Sequence, residues 1–128
     1  MFDRIRLLRD IPLFSDLGWW DLRRIAEKAG IESYPRGKII ITEGQKGTAF
    51  YVILSGRCRI FTRVKTGRER IFGHLRRGDS FGEVALLTGE DYWASVSVST
   101  DAVLLKIDKT DFDQLLHKNP KLALKFGE

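Results

Sequence analysis

The hydrophobic positions of this chain follow a helical period at its two ends and a strand period in its middle. Residues Phe2–Arg9 predict a short helix. A second helix is predicted over Ser15–Ala29, with the serine as its cap and Gly30 as its stop. Its apolar face repeats at helical spacing through Leu22, Ile25, Ala26 and Ala29. We expect Trp19 and Trp20 to pack against a sheet or a partner helix, with ligand contact as the alternative.

From residue 31 to residue 107 the pattern changes to short apolar and β-branched runs separated by turn signals. The turn signals are Pro35-Arg36-Gly37, Glu43-Gly44, Gly47, Ser55-Gly56, Thr66-Gly67 and Arg77-Gly78-Asp79. Regular short strands with such breaks predict an antiparallel sandwich or barrel. The wholly apolar run Phe50–Leu54 predicts a strand that is buried on both sides.

The segment Arg57–Lys65 alternates strictly, as a strand with two different faces does. One face is expected to hold Cys58, Ile60, Thr62 and Val64, and the other Arg57, Arg59, Phe61, Arg63 and Lys65. A turn at Lys65–Arg68 then leads into Glu69–Leu75, which predicts a hairpin. The basic face is either a solvated strand face or a surface that meets phosphates or anionic lipid. The net charge of +5 allows an acidic partner, but we expect no direct contact with nucleic acid.

After residue 107 the pattern becomes helical again. Thr110 followed by Asp113 resembles a capping box, and the buried stripe of this helix is expected at Phe112, Leu115 and Leu116. The pair Asn119-Pro120 ends this helix and starts another, which carries Leu122, Leu124 and Phe126.

Composition is that of an ordinary globular protein, since 43% of the 128 residues are hydrophobic and 30% are charged. This length fits one domain over 1–128, with helices over 2–29, a β-roll over 31–107 and C-terminal helices over 109–126. No apolar run approaches the ~18 residues that cross a bilayer, and the N-terminus lacks the apolar segment of a signal peptide. The one cysteine, Cys58, is expected as a buried small hydrophobe rather than a reactive thiol, which fits a cytoplasmic location.

The most informative segment is Phe81–Val96, which combines a glycine turn, one short apolar helical turn and a β-branched strand. A turn that opens a helix directs several backbone N–H groups at one point, where an anion is stabilised. The segment resembles the phosphate-binding cassette of cyclic nucleotide-binding domains through Phe81-Gly82-Glu83, Ala85-Leu86, Ala94 and Val96. We refer to it as the cassette.

A second motif, Ile40–Gly56, is similar to the strand, glycine turn and strand signature of the same family. We expect its turn glycines, Gly44 and Gly47, to hold backbone angles that other residues resist. With helices on both sides of a β core, the resemblance covers nearly the whole chain. It implies a mostly β fold, an eight-stranded antiparallel jelly roll with N- and C-terminal α-helices.

The resemblance also implies ligand contacts. Gly82 and Ala85 would offer backbone N–H groups to a cyclic phosphate, and Glu83 would accept a hydrogen bond from the ribose 2′-hydroxyl. The family's apolar pocket positions fall at Ile60, Phe72 and Leu75, with Gly73 between the last two. Alternatively, Glu83 is a helix-start carboxylate that the helix dipole favours, and the three apolar residues are plain core.

The cassette departs from the family pattern at two adjacent positions. Tyr92 occupies the place of an arginine that contacts the phosphate, and Trp93 occupies the place of a small residue. A tyrosine offers one neutral O–H in place of a charged, two-pronged donor. We therefore expect cyclic nucleotides to bind weakly or not at all. The possible ligand is cyclic AMP, cyclic GMP or another small anion, and we expect such a phosphate-containing ligand to bind weakly or with altered specificity.

Three functional hypotheses remain open. The chain is a regulatory sensor domain that couples a ligand to movement of its C-terminal helices, a docking module whose pocket is plugged by Tyr92 and Trp93, or the sensor half of a transcription regulator. Because the chain ends soon after Pro120, it is either a piece of a larger protein with an output domain or a minimal domain. A homodimer is possible in either case.

We expect neither an enzyme nor a metal protein. His74 and His117 have no spaced partners for a catalytic triad, and two histidines with one cysteine make no metal-ligand set. No cofactor is predicted either, because haem or iron–sulfur sensing needs ligands that this sequence lacks.

Overall fold

The computed structural model describes residues 2–126, and its elements follow the predicted order of helices, strands and helices. The outermost residues of the predicted domain (Met1, Gly127 and Glu128) lie outside that range. The helices are α1 (Phe2–Arg9), α2 (Trp19–Lys28), α3 (Glu83–Thr88), α4 (Lys109–Lys118) and α5 (Pro120–Lys125), with a 3-10 turn at Pro12–Phe14. The strands are β1 (Gly30–Tyr34), β2 (Ile39–Ile41), β3 (Ala49–Arg63), β4 (Glu69–Leu75), β5 (Ser80–Phe81) and β6 (Ser95–Asp108).

The strands form one antiparallel sheet in the order β1-β6-β3-β4, with β2 paired to β6 and β5 paired to β3. The predicted class, mostly β with flanking helices, is confirmed. The predicted count of eight strands is wrong, because the described residues form six. The difference lies in β3 and β6, which run unbroken for 15 and 14 residues. Their register shifts between Ile53 and Cys58, and such irregularities let a strand bend around a roll without ending.

Two predicted helix starts are also wrong, although the helices exist. The Ser15 hydroxyl donates to the Pro12 carbonyl oxygen at 2.9 Å and so completes the 3-10 turn, and α2 begins only after Gly18. Asp108 rather than Thr110 precedes α4, and no side-chain hydrogen bond caps it. Pro120 does open α5, as predicted. For both α2 and α4, a nearby turn or strand end determines where the helix begins, and the predicted hydroxyl residue does not.

The core has two parts that meet at β3. The first lies between the sheet and the helices and includes Phe14, Phe50 and Phe112, whereas the second lies inside the roll and includes Tyr51, Ile53, Cys58, Phe81 and Tyr92. The predicted two-sided burial of Phe50–Leu54 is confirmed, because successive residues of this run belong alternately to the two parts. Cys58 is buried as expected, and burial raises the pKa of its thiol to about 11.

Three aromatic residues show where side-chain placement follows and departs from the pattern. Trp19 packs against the first core as predicted. Trp20 is 70% exposed and does not pack against the sheet or a partner helix, contrary to the prediction. Phe61, expected on the solvated basic face, is only 1% exposed. The Arg59 guanidinium lies 4.5 Å from the centre of its ring, so a charged neighbour covers it. Within the described range, no helix is both long and apolar enough to cross a membrane.

Candidate functional site

The cassette begins where β5 ends at a sharp backbone turn. Gly82 has a φ of 94°, in the left-handed region, and a Cβ at this position would lie 2.8 Å from the Ala49 carbonyl oxygen. Glycine is therefore required both by the backbone angle and by the close approach. Gly47 is required by contact alone, because a Cβ there would lie 2.5 Å from Ala85 Cβ. The prediction of an unusual backbone angle is confirmed for Gly44, with a φ of 85°, but not for Gly47.

A cavity of about 170 Å³ lies between the cassette, β3 and the end of β2. Its lining residues are Ile41, Ile60, Ser80, Phe81, Gly82, Glu83, Val84, Ala85, Tyr92, Trp93, Ala94 and Val96. Six predicted site residues are therefore brought together: Ile60, Gly82, Glu83, Ala85, Tyr92 and Trp93. Phe72, Gly73 and Leu75 are not among them. Sequence reasoning missed six lining residues, Ile41, Ser80, Phe81, Val84, Ala94 and Val96. Phe81, Ala94 and Val96 belong to the cassette motif, which was the signal that could have found them.

Tyr92 lies inside the roll, with only 6% of its surface exposed. Its hydroxyl donates to the Ala49 carbonyl oxygen at 2.8 Å and accepts hydrogen bonds from the backbone N–H groups of Ala49 and Thr48, both at 3.1 Å. Its own backbone pairs with the β2–β3 loop, through Gly44 N–H to Tyr92 O and Tyr92 N–H to Gln45 O, each 2.9 Å. Tyr92 is therefore held in place by hydrogen bonds of both its side-chain hydroxyl and its backbone.

The tyrosine hydroxyl replaces a missing strand neighbour. Tyr51 of β3 pairs with Phe81 of β5, so Ala49 would lie opposite Glu83 if β5 continued. The chain has turned into α3 by that point. The buried backbone groups of Ala49 would then lack partners, and buried backbone groups are nearly always paired. The phenol of Tyr92 supplies both the donor and the acceptor that they need.

Trp93 lies at the rim of the cavity rather than within it. It is 50% exposed, and its ring meets the half-exposed Phe72 edge to face, with centroids 5.2 Å apart. The Arg70 guanidinium lies 5.1 Å from the Phe72 ring centre. Of the two aromatics expected to plug the pocket, only Tyr92 occupies its interior, and Trp93 extends an exposed aromatic edge.

The remaining predicted residues lie on β4 near the cavity. Gly73 pairs with Ile60 across the β3–β4 ladder, and the register shifts there so that Phe72 is left between paired residues. Leu75 is partly buried and packs against the second core, which agrees with its alternative interpretation as plain core. The ligand-binding roles of all nine predicted residues stay predictions.

Glu83 is the one charged side chain that lines the cavity. Its Oε2 atom is buried and has no hydrogen-bond partner, and burial raises the pKa of the carboxyl group. No arginine or lysine lines the same cavity. The cavity therefore presents an unsatisfied acceptor to any ligand that carries a hydroxyl or N–H donor, but no positive charge to a phosphate.

The cassette contacts the C-terminal helices through α3. Leu86 belongs to the first core together with Phe112 of α4. The Lys109 ammonium at the start of α4 donates to the Leu86 carbonyl oxygen at 3.5 Å and pairs with Asp113 at 2.8 Å. The short helix α3 of the cassette is therefore in direct contact with α4.

Residues 2–126 contain no cluster of three or more histidine, cysteine or acidic residues that could hold a metal ion. His74 and His117 are both exposed and belong to different elements.

Comparison with known proteins identifies this arrangement. The family model for the cyclic nucleotide-binding domain matches residues 31–119. The chain is 38% identical over 109 residues to a cAMP-dependent protein kinase regulatory subunit from Aspergillus niger, covering 85% of this chain and 26% of that protein. The corresponding subunit from Yarrowia lipolytica is 34% identical over 109 residues, covering 85% and 28%. The chain thus spans about a quarter of the length of these relatives.

Solved structures agree. A variant regulatory subunit of a cAMP-independent protein kinase A from Trypanosoma brucei, bound to cAMP in its A site, superposes with a TM-score of 0.87 at 25% identity, covering 97% of this chain and 46% of that one. The catabolite activator protein of Thermus thermophilus superposes with a TM-score of 0.80 at 31% identity, covering 91% and 55%. This chain belongs to the cyclic nucleotide-binding domain family.

Proposed function

We propose that this chain is a regulatory sensor domain of its family in which cyclic nucleotides bind weakly or not at all. The observation that carries the proposal is the Tyr92 hydroxyl, which is bonded to Ala49 and Thr48 at the position where the family places a charged arginine. A hydrogen bond to a charged group is worth about 1.5–3 kcal/mol. Its loss corresponds to roughly ten- to hundred-fold weaker binding.

The size of the cavity supports the same proposal. Pockets that hold drug-sized ligands usually enclose about 300–1,000 Å³, whereas the cassette cavity encloses about 170 Å³. A cyclic nucleotide would have to displace the rim, where Trp93 and Phe72 meet. That displacement adds to the cost of binding.

The proposed ligand is cyclic AMP, cyclic GMP or another small anion. Its phosphate would contact the backbone N–H groups of Gly82 and Ala85, and a sugar hydroxyl would donate to Glu83. The unpartnered carboxylate oxygen supports the second contact. Ile60 would lie against the sugar or base. Binding would shift α3 and, through Leu86 and Lys109, bias the position of the C-terminal helices, provided that the ligand prefers one of the two positions.

The Trypanosoma brucei relative motivates the central experiment. The form of that protein with cAMP in its A site is a variant in which a threonine is changed to arginine and the next residue from valine to alanine, together with a glutamate-to-alanine change. Introducing an arginine followed by an alanine is the same kind of change that we propose at Tyr92 and Trp93.

Isothermal titration of cyclic AMP and cyclic GMP tests the proposal with three proteins. The wild type should show no low-micromolar binding. Tyr92→Arg with Trp93→Ala should bind at least about tenfold more tightly. Tyr92→Phe with Trp93→Ala is the matched control, because it opens the rim and removes the hydroxyl without adding charge. Low-micromolar binding by the wild type, or an equal gain in both double variants, would contradict the role of Tyr92.

A docking module is the second candidate, and the exposed edge formed by Trp93 and Phe72 favours it. A thermal-shift screen of cyclic mono- and dinucleotides separates the two functions. A rise in Tm with any of these compounds supports sensing, and no change in Tm with all of them supports docking. The sensor half of a transcription regulator stays an expectation. An output domain, a homodimer and a cytoplasmic location belong to this proposal as expectations.

A further inference from the structure

The positive charge of this chain is concentrated in one stretch. Residues 36–75 contain nine arginines and lysines against two glutamates, a balance of +7, whereas the whole chain carries +5. This stretch forms β2, β3, β4 and their connections. The largest local surplus of positive charge therefore lies on these strands and their connections, although the helices are also net positive.

Part of this charge lines a groove on the sheet face opposite the cassette cavity. The groove encloses about 490 Å³, and its lining includes Arg36, Arg59, Phe61, Arg63, Glu69 and Ser97. We call it the arginine groove. It is separate from the cassette cavity, because Ile60 lines the cavity while its neighbours along β3 line the groove. Results with cyclic nucleotides therefore do not bear on it.

Two of the arginines are held in place before any ligand binds. Phe61 forms the floor, with the guanidinium carbons of Arg59 and Arg63 at 4.5 and 5.7 Å from its ring centre. Glu69 accepts hydrogen bonds from the Nη1 and Nη2 atoms of Arg59, the second at 3.2 Å, and lies 3.5 Å from Arg63 Nη2. Such pre-organisation lowers the entropy that a ligand must offset.

The groove has more positive charge than its own carboxylate neutralises. Three arginines line it together with a single glutamate, and Asp101 and Glu43 also accept hydrogen bonds from the backbone N–H groups of Arg36 and Arg63. The pairing of Glu69 with Arg59 shows that the Arg59 guanidinium presents its N–H donors to a carboxylate in the two-pronged manner that arginine favours. A second carboxylate brought by a partner would meet the same chemistry.

A carboxylate is the anion that these arginines already pair with, because Glu69 lies beside Arg59 and Arg63. Phe61 is only 1% exposed beneath the guanidinium groups, so a partner meets the arginines and not the ring. An extended peptide directs alternate side chains to opposite sides, so it can present several carboxylates along one side. Ile39, 45% exposed at the edge of β2, offers an apolar contact beside the arginines. We propose that the arginine groove binds an acidic peptide segment of a partner protein, whose carboxylates pair with Arg36, Arg59 and Arg63.

The test uses a short fluorescein-labelled peptide that alternates glutamate with leucine, and the same peptide with glutamine in place of glutamate. Fluorescence anisotropy should show binding of the glutamate peptide that weakens as salt rises. Arg59→Ala with Arg63→Ala should weaken binding by about tenfold or more. Lys65→Ala with Arg68→Ala is the matched control, since it removes two charges from the same hairpin outside the groove and should change binding less than about twofold.

A third variant changes binding in the opposite direction. Glu69→Gln removes the carboxylate that competes for Arg59 and Arg63, so the peptide should bind several-fold more tightly. Glu90→Gln on the cassette is the control, because it gives the same change of charge and should leave peptide binding unchanged. Urea unfolding shows whether each variant folds, and Arg36→Ala replaces the double variant if that variant does not fold. Equal loss in the two double variants, no binding of the glutamate peptide, or tighter binding to phosphatidylserine vesicles or single-stranded RNA would overturn the proposal.

Discussion

Removing the Tyr92 hydroxyl tests whether its hydrogen bonds to Ala49 stabilise the fold. Tyr92→Phe keeps the ring and its packing but deletes the group that serves both the N–H and the carbonyl of Ala49. We expect the free energy of unfolding to fall by about 1–3 kcal/mol, the cost of leaving buried polar groups without partners.

The size of this loss of stability depends on which partners of the Tyr92 hydroxyl cannot form a hydrogen bond to water in its place. Ala49 is 1% exposed, and β5 has already turned away from it, so neither a strand nor solvent replaces the hydroxyl. Thr48 is exposed, and water can satisfy its N–H at little cost. The loss therefore comes from one buried residue rather than from all three hydrogen bonds.

Urea unfolding followed by circular dichroism measures the change, and the slope against urea should match that of the wild type. For 128 residues, each kcal/mol corresponds to about 3–5 °C in Tm. Tyr34→Phe is the control, because that hydroxyl bonds only a neighbouring side chain, Glu32, and its loss should cost less. A loss below about 0.5 kcal/mol in Tyr92→Phe, within the usual range of surface substitutions, would refute the reasoning.

Two further predictions concern the same site. Burial raises the pKa of Glu83, so the folded state holds its proton more tightly and wild-type stability should fall as pH rises above the ordinary glutamate range. Glu83→Gln should then be more stable than the wild type at neutral pH and equal at acidic pH, and parallel pH profiles by urea unfolding would contradict this. Gly47→Ala places a Cβ 2.5 Å from Ala85 Cβ and should cost about 1–3 kcal/mol by overpacking. Gly73→Ala, with nothing within 4 Å of the new Cβ, should cost far less in the same assay, and equal losses would exclude a steric cause.

Much of the fold could be predicted because local sequence patterns determine most of its helices and strands. The α1 helix and the β4 strand have the predicted bounds, since each is a single periodic run between clear breaks. The starts of α2 and α4 could not be predicted from Ser15 and Thr110. A hydroxyl caps a helix only if the chain around it has the right direction, and here the Pro12 turn and the end of β6 set that direction.

The site was predictable at the positions that belong to the motif and less so beyond it. The six predicted residues that line the cavity include five from the cassette itself, whose spacing along the chain brings them together. Phe72 and Leu75 lie on β4, and which way they face depends on the register shift opposite Ile60 and Phe61. No feature of the β4 sequence predicts that shift.

The sequence by itself determined the family, the succession of helices and strands, and the absence of an arginine or lysine from the cassette. Only the tertiary structure decided where the two adjacent aromatic residues of the cassette lie. The Tyr92 hydroxyl bonds to Ala49, which pairs with Asp108 of β6 on one side and has no β5 partner on the other. Trp93, the next residue, lies instead at the rim, where its ring meets Phe72. Hydrogen bonds between residues 43 apart in the chain depend on how β3 and the cassette meet, and no local pattern contains that information.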